Sequence, residues 1–483
     1  MTTLADLTLV EAAKAVRNGD ATSRDLLGAC WDRMEEVNPT LNATIWVDRL
    51  GAERAARAAD ASRDTNEWFG PLHGVPLAHK DMYYQAGKRC TCGSRLRKDF
   101  VADITSSAIE RLAAAGAYVF AGLNMAEFAQ NPTGHNREFG DCHNPWNPPY
   151  ITGGSSSGSG AAVAARFVYA ALGSDTGGSI RLPASACGVT GLKPTQTRVS
   201  RYGAMPLSFT LDNVGPLART ARDCARVMSL IAGRDPRDPT SSHLPVPDYE
   251  GALAGDVRDM RIGIPTNYFF DGADPVVAAT IDRACEVLAA RGATVTRLTL
   301  PVMDAVSAYG GIISRVEAAT IHAEWMRHRP QDYAQHLSGR MYAGFAIPGP
   351  YYVEALSRRG PVLRAFADEV FAQVDVLATP TIRTALPTLD ETDIDNGPPG
   401  TEVRFLALSA NTRPFNYLGL PAISIPCGFD NNGLPIGLQL AGRPFAEARL
   451  LRMADAYQRD TSWHARRPPL LEPGSDNPGI ILA

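Results

Sequence analysis

Three short stretches carry the side chains best suited to nucleophilic chemistry. "ITGGSSSGSGAA", residues 151–162, sets Ser155, Ser156, Ser157 and Ser159 among glycines and then turns apolar. "GSDTGGSIRLPAS", residues 173–185, carries a second Gly-Gly-Ser that ends on Ser179. Upstream, Lys80 stands in "GVPLAHKD". A serine attacks a carbonyl only when a base takes its proton, and the oxyanion that forms needs N–H donors aimed at it. The paired glycines before Ser179 let the main chain approach a substrate without side-chain obstruction. Two serines and one lysine can relay a proton without histidine: the amine takes it from a bridging serine, which takes one from the attacking serine.

The serine-glycine run admits other readings. It is too short for a linker and feeds "AAVAARFVYAALG", which reads as a packed helix of small apolar residues. A phosphate cradle wants lysine and then Ser or Thr after the last glycine, but Ala161 follows Gly160. Gly154, Ser156 and Gly158 fit a nucleophile elbow formally. An elbow follows a buried strand, whereas the prolines of "NPWNPPYIT" oppose one.

Lysine is scarce here. Of 47 basic residues only Lys14, Lys80, Lys88, Lys98 and Lys193 are lysines. Arginine cannot give up its proton, and a buried lysine can. Only about one free lysine in 2500 is neutral at pH 7. A useful base therefore needs a downward shift of roughly 3 units, or ~4 kcal/mol, which burial supplies. The apolar "GVPLAH" before Lys80 is consistent with burial.

Taken together, these segments resemble the amidase signature family of serine hydrolases. The resemblance is carried by "GPLHGVPLAHKD", "NMAEFA" with "FGDCHNPWN", "GGSSSGSGAAVAA", "GSDTGGSIRLPASACGVTGLKPT", "DNVGPLART" and "GLPAISIPCGF" with "GLPIGLQLAGRPFAEARLL". It spans about residues 70 to 452 and implies a Ser–cis-Ser–Lys triad: Lys80 as base, Ser155 as the cis-serine relay and Ser179 as nucleophile. It places the oxyanion hole on the backbone amides of Thr176, Gly177, Gly178 and Ser179. Gln130, Asn131 and Thr133 fall where relatives line the acyl pocket. Asp175 and Arg181 flank the nucleophile and are expected to fix its loop. Ser156, Ser157 and Ser159 are expected to be structural, and so is Lys193. Two departures avoid the triad: Leu123 precedes Asn124 where Lys or Thr is usual, and Thr197 replaces a glycine before "RVS".

The elements that must position these residues follow from local signals. Thr8 with Glu11 and Thr22 with Asp25 form capping boxes ahead of helices, and "GAERAARAADASRD" reads as a third helix. "GPLHGVPLAHKDMY" reads as a short strand between tight turns. "SSAIERLAAAGAYVFAGLNMAEFA" reads as helix, turn and strand, capped by Ser106 or Ser107 and ended by Gly116. "RIGIPT", "TVTRLTL", "VDVLATPT" and "PAISIPCGF" read as strands, "PVVAATIDRACEVLAARGA" as a helix, and residues 303–372 as mainly helical. The expected fold is α/β, one large domain with a central mixed β-sheet covered by helices on both faces. Residues 70–230 are expected to form its signature core, 235–372 a variable helix-rich portion over the active site, and 373–468 the C-terminal part of the core, within a single domain 1–483. The Pro-rich "RDPRDPTSSHLPVPD" is a candidate boundary inside it.

Bulk properties exclude several classes. With 45% hydrophobic residues, 20% charged residues and a net charge of −4, the chain is of ordinary globular composition and gives no support to nucleic-acid binding. It has no apolar run of the ~20 residues that a membrane span needs, and its first residues do not read as a signal peptide. A cytoplasmic enzyme is the default. Eight scattered cysteines are expected to be reduced thiols. Cys90, Cys92, Cys142 and His143 match no standard zinc spacing, and neither metal nor cofactor is expected.

The expected partner is a small-molecule amide or related acyl compound, with no nucleic acid and no membrane; a homodimer is compatible. The favoured reading is a free-standing amidase acting on an aryl or bulky acyl amide. A hydrolase of carbamates, esters or hydrazides is the alternative. A glutamine-dependent tRNA amidotransferase subunit ranks lower, because "YAGFAIPGPYYVEALSRRG" lacks the basic helical signature of those relatives. The aromatics of that segment, Tyr342, Phe345, Tyr351 and Tyr352, form either a packed helical hairpin or an apolar wall for the acyl group.

Overall fold

The computed structural model describes residues 3–471 other than Asn66 and Val302. Eleven strands form one continuous sheet. In chain order they are β1 (Thr44–Val47), β2 (Pro76–Lys80), β3 (Tyr118–Leu123), β4 (Ala170–Asp175), β5 (Thr190–Lys193), β6 (Asn213–Ala218), β7 (Arg261–Pro265), β8 (Thr294–Leu298), β9 (Val376–Pro380), β10 (Ala422–Phe429) and β11 (Pro435–Gly442). Their spatial order is β1-β3-β2-β4-β6-β5-β10-β11-β9-β7-β8. The sheet is mixed: β2 runs parallel to β3 and β4, β7 runs parallel to β8 and β9, and the other pairs are antiparallel. Because β7 and β8 complete one end of it, the Pro-rich stretch near residue 240 separates no second core.

The central strands β2, β4, β5, β6 and β11 are buried along their whole length, whereas the edge strands β1 and β8 are partly exposed. Strands covered on both faces read as continuous runs of small and apolar residues rather than as an alternation. That is why "AALGSD", "TGLK", "NVGPLA" and "PIGLQLAG" gave no strand signal. It also corrects the reading of "AAVAARFVYAALG" as one helix. The helix Ser157–Ala164 begins inside the serine-glycine run, the chain turns at Arg166 in the left-handed region (φ 62°), and the remainder becomes β4. Unbroken small apolar sequence has no period to tell buried helix from buried strand.

Local signals elsewhere hold. Thr8 and Thr22 accept from the N–H of Glu11 and Asp25 in full capping boxes. Ser106 caps the helix Ser107–Ala114, and Gly116 follows it with φ 91°. The helices Met303–His328, Gln335–Ala346 and Gly349–Val370 account for most of residues 303–372. Among the described residues no helix is long and apolar enough to cross a membrane.

Candidate active site

Lys80 ends β2, and the neighbouring parallel strand β4 brings Ser174 beside it; the register pairs His79 with Leu172. Ligand sites in α/β sheets gather at such carboxyl ends of parallel strands. The Lys80 Nζ lies 2.6 Å from Ser155 Oγ and 2.9 Å from Ser174 Oγ, and all three residues are buried. No carboxylate comes within ion-pair distance of it among the described residues. Burial pushes the amine down to about 7, against the weaker opposing pull of Asp212 and Asp175. At that value about half of the amine is neutral at pH 7.

Ser155 follows a cis peptide bond from Gly154. Position 154 has no room for a side chain: a Cβ there would lie 2.6 Å from Asn131 O and 2.9 Å from Thr133 N. The other serines of the run are tied to the main chain. Ser156 Oγ donates to Ser174 O (3.3 Å), Ser157 Oγ to Asn124 O (3.3 Å) and Ser159 Oγ to Leu172 O (3.1 Å). The run thus behaves as a packed helix start from which Ser155 alone meets the lysine.

β4 leads directly into the loop that carries Ser179, and the Ser156 N–H donates to Ser179 O (3.3 Å), joining the two serine segments. Asp175 and Arg181 hold this loop, both fully buried. Arg181 donates to both Asp175 oxygens (2.9 and 3.0 Å), to Asn416 Oδ1 (2.7 Å), to Gln439 Oε1 (2.8 Å) and to Thr412 O (3.0 Å). Asp175 also accepts from the N–H groups of Gly178 (2.8 Å) and Ile180 (3.2 Å). Burial opposes its charge, but Arg181 and Asn416 hold the carboxyl at about 2. Gly178 therefore departs from the expected oxyanion hole, because its N–H is used inside the loop. Its φ of 135° and the lack of space for a Cβ beside Thr412 give it a structural task instead.

Thr176, Gly177 and Ser179 line a cavity of about 80 Å³. Gln130 and Asn131 line it too, whereas Thr133 does not. Thr133 is buried behind them, and its hydroxyl donates to Asn131 Oδ1 (2.8 Å), fixing that amide. The aromatic segment does not supply an apolar wall: Tyr342, Phe345 and Tyr351 are about half exposed and lie outside this cavity. Tyr352 Oη instead donates to Glu317 Oε1 (3.0 Å).

Two neighbours matter for titration. His79 packs edge-on to Trp46 and Tyr83, and burial pushes its imidazole down to about 4. Lys193 is also buried and its amine pushed down to about 7, chiefly by burial and then by Arg181, but it donates to Pro194 O (2.8 Å) away from the serines. The cysteines are free thiols, all buried; Cys90 Sγ and Cys92 Sγ lie 3.9 Å apart.

Sequence reasoning missed Ser174 and Asp212, whose carboxylate accepts from Thr176 Oγ1 (2.5 Å) and from the N–H groups of Leu207 and Ser208. Asp212 immediately precedes β6, the neighbour of β4, and that pairing was the missing signal.

A family model described as Amidase matches residues 25–451. A glutamyl-tRNA(Gln) amidotransferase subunit from Roseiflexus castenholzii is 41% identical over 497 residues, covering 98% of this chain and 100% of that protein. Among solved structures, the peptide amidase of Stenotrophomonas maltophilia superposes with a TM-score of 0.82 at 30% identity, covering 96% of this chain and 98% of that one. A chain from a vestigial protein complex bearing on the origins of an s-triazine catabolic enzyme superposes with a TM-score of 0.88 at 32% identity, over 94% of this chain and 98% of that one. The Roseiflexus relative, by its name an amidotransferase component, is of the kind that the sequence ranked below a free-standing hydrolase. With a matched model over most of its length and these neighbours in the same α/β fold, the chain belongs to the Amidase family of amide-hydrolysing enzymes.

Proposed function

We propose that this chain cleaves the C–N bond of an amide through an acyl-enzyme on Ser179, with Ser155 as proton relay and Lys80 as base. The observation that carries this reading is the buried 2.6 Å contact between Lys80 Nζ and Ser155 Oγ, made by an amine that burial leaves about half neutral. As Ser179 Oγ attacks the carbonyl, its proton passes to Ser155 Oγ while the Ser155 proton passes to the neutral amine. The N–H groups of Thr176, Gly177 and Ser179 are the donors available to the oxyanion on the cavity wall. The amine's proton returns through Ser155 to the departing nitrogen, the C–N bond breaks, and an ester on Ser179 remains. Water then repeats the sequence to release the acid. Asp175 and Arg181 act as positioning residues for the loop, Gln130 and Asn131 as substrate contacts, and Thr133 as a support for Asn131.

Two sources of the amide are supported. The name of the 41%-identical relative, an amidotransferase subunit, supports a component of such an assembly, which we read as one that takes ammonia from glutamine and passes it to a partner chain. The second reading, a free-standing amidase of small amides, is supported by the peptide amidase among the structural neighbours. The purified chain, alone, is to be assayed for ammonia or amine release from anilides, carbamates, esters, primary amides and glutamine, with its mass in solution measured alongside. Turnover without a partner supports the free-standing enzyme. Glutaminase activity that appears only with partner chains and tRNA supports the amidotransferase component. Absence of any turnover together with absence of covalent labelling at Ser179 overturns both.

A further inference from the structure

Three arginines line the cavity that holds Ser179: Arg315 on the helix Met303–His328, Arg340 on Gln335–Ala346 and Arg413 at the start of Arg413–Tyr417. The first two helices pack tightly. Gly344, one turn beyond Arg340, leaves no room for a Cβ against the backbone of Arg315. Among the described residues no Asp or Glu lines the cavity. Among the described residues none of the three guanidiniums pairs with a carboxylate. Neutral groups hold two of them: Arg413 Nη2 donates to Ser409 Oγ (2.6 Å), and the Arg340 guanidinium sits 5.7 Å from the centroid of the Phe405 ring. Arg181, in contrast, is buried against a carboxylate of its own.

Arg315 is exposed and Arg340 and Arg413 are half-buried; three like charges gathered around one cavity without a counter-charge repel one another unless an anion pairs with them. Burial, with Arg315 and Arg413 beside it, pushes the Arg340 guanidinium down to about 10, and burial and Arg315 push Arg413 down as well. Both remain cationic at neutral pH. An anion in the cavity would relieve this repulsion, and a guanidinium matches a carboxylate in a two-pronged geometry.

We propose that the substrate is an amide of net negative charge, with a carboxylate a few atoms from the scissile carbonyl held by Arg315, Arg340 and Arg413. This deepens the acyl-enzyme reading and rests on it. It also ranks substrates: an α-amino acid amide brings an ammonium that finds no carboxylate in the cavity, so glutamine is a poorer fit than the same chain without its amino group.

The test compares ω-carboxy amides from malonamate to adipamate with uncharged n-alkyl amides of equal length, and glutaramate with glutamine. Ammonia release is followed for the full chain. The best carboxy amide is expected to exceed its neutral counterpart by about ten- to a hundredfold in kcat/KM, and glutaramate to exceed glutamine. In R340Q and R413Q the carboxylate-to-neutral preference should fall at least about tenfold, mainly through KM. Binding of glutarate and of neutral glutaramide to S179A, by calorimetry, reads the same preference without catalysis and without disturbing the arginines. Equal binding of the two, a neutral or zwitterionic amide preferred, or an unchanged preference in folded R340Q and R413Q overturns the proposal. Labelling of Ser179 by a fluorophosphonate reports on the acyl-enzyme reading separately, so loss of one does not imply loss of the other.

Discussion

Replacing Lys80 by arginine keeps a positive charge beside Ser155 and removes the capacity to accept a proton. In the structure burial takes the amine from 10.5 to about 7. At pH 7 this raises the neutral fraction from roughly one in 3000 to about one half, a gain of more than a thousandfold in available base. Lys80→Arg should therefore lower kcat/KM by about 10³-fold, close to the effect of Lys80→Ala. A purely electrostatic role would leave the arginine variant substantially active. The wild-type profile follows from the same value. Below about pH 7 kcat/KM should fall tenfold per unit, to about 1% of its plateau at pH 5, and above about pH 8 it should level off. The inflection belongs to the Lys80–Ser155–Ser179 unit as a whole. His79 is the control: its ring is already neutral above about pH 4, so His79→Ala should keep the inflection near 7. Initial rates from pH 5 to 10 with one chromogenic amide or ester read all of this. A flat profile, an active Lys80→Arg, or an inflection lost in His79→Ala would rule out Lys80 as the base.

Ser174→Ala removes an oxygen that accepts from the charged amine, so the ammonium is less favoured and the inflection should move down by about one unit, with activity retained. Asp175→Asn leaves the buried Arg181 without its counter-charge and should cost about 3–5 kcal/mol of stability at neutral pH, read by urea denaturation. Gly154→Ala places a Cβ against Asn131 O and Thr133 N and should cost about 1–3 kcal/mol while displacing Ser155; unchanged stability and activity would contradict the packing described.

How much of this was legible before the structure depended on whether a feature was local. Ser155 and Ser179 sit in runs whose glycines have no other ready use, and Lys80 stands out in an arginine-rich chain. Capping boxes at Thr8 and Thr22 are likewise local, and the helices formed where they predict. Strands β4, β5, β6 and β11 were not legible, because burial on both faces erases alternation. With β4 unseen, its pairing with β2 was unseen too, and that pairing alone brings Ser174 to the lysine. Gly178 looked like an oxyanion donor from its place in "TGGS", but a carboxylate three residues earlier takes its N–H. The arginines of the cavity come from three helices spread over residues 303–417, and only tertiary packing gathers them. Of the two readings of the aromatics near residue 345, the apolar wall fails, because Tyr342, Phe345 and Tyr351 are about half exposed while Tyr352 packs against a core cluster; composition does not say which side of a helix meets the core.

Acylation of Ser179 is tested by trapping it. The full chain is treated with a fluorophosphonate, digested, and mapped by mass spectrometry. The expected result is one adduct, on Ser179, absent from Ser179→Ala and formed far more slowly in Lys80→Ala. An adduct on Ser156 or on a cysteine, or labelling of Ser179 at an undiminished rate without Lys80, would contradict it.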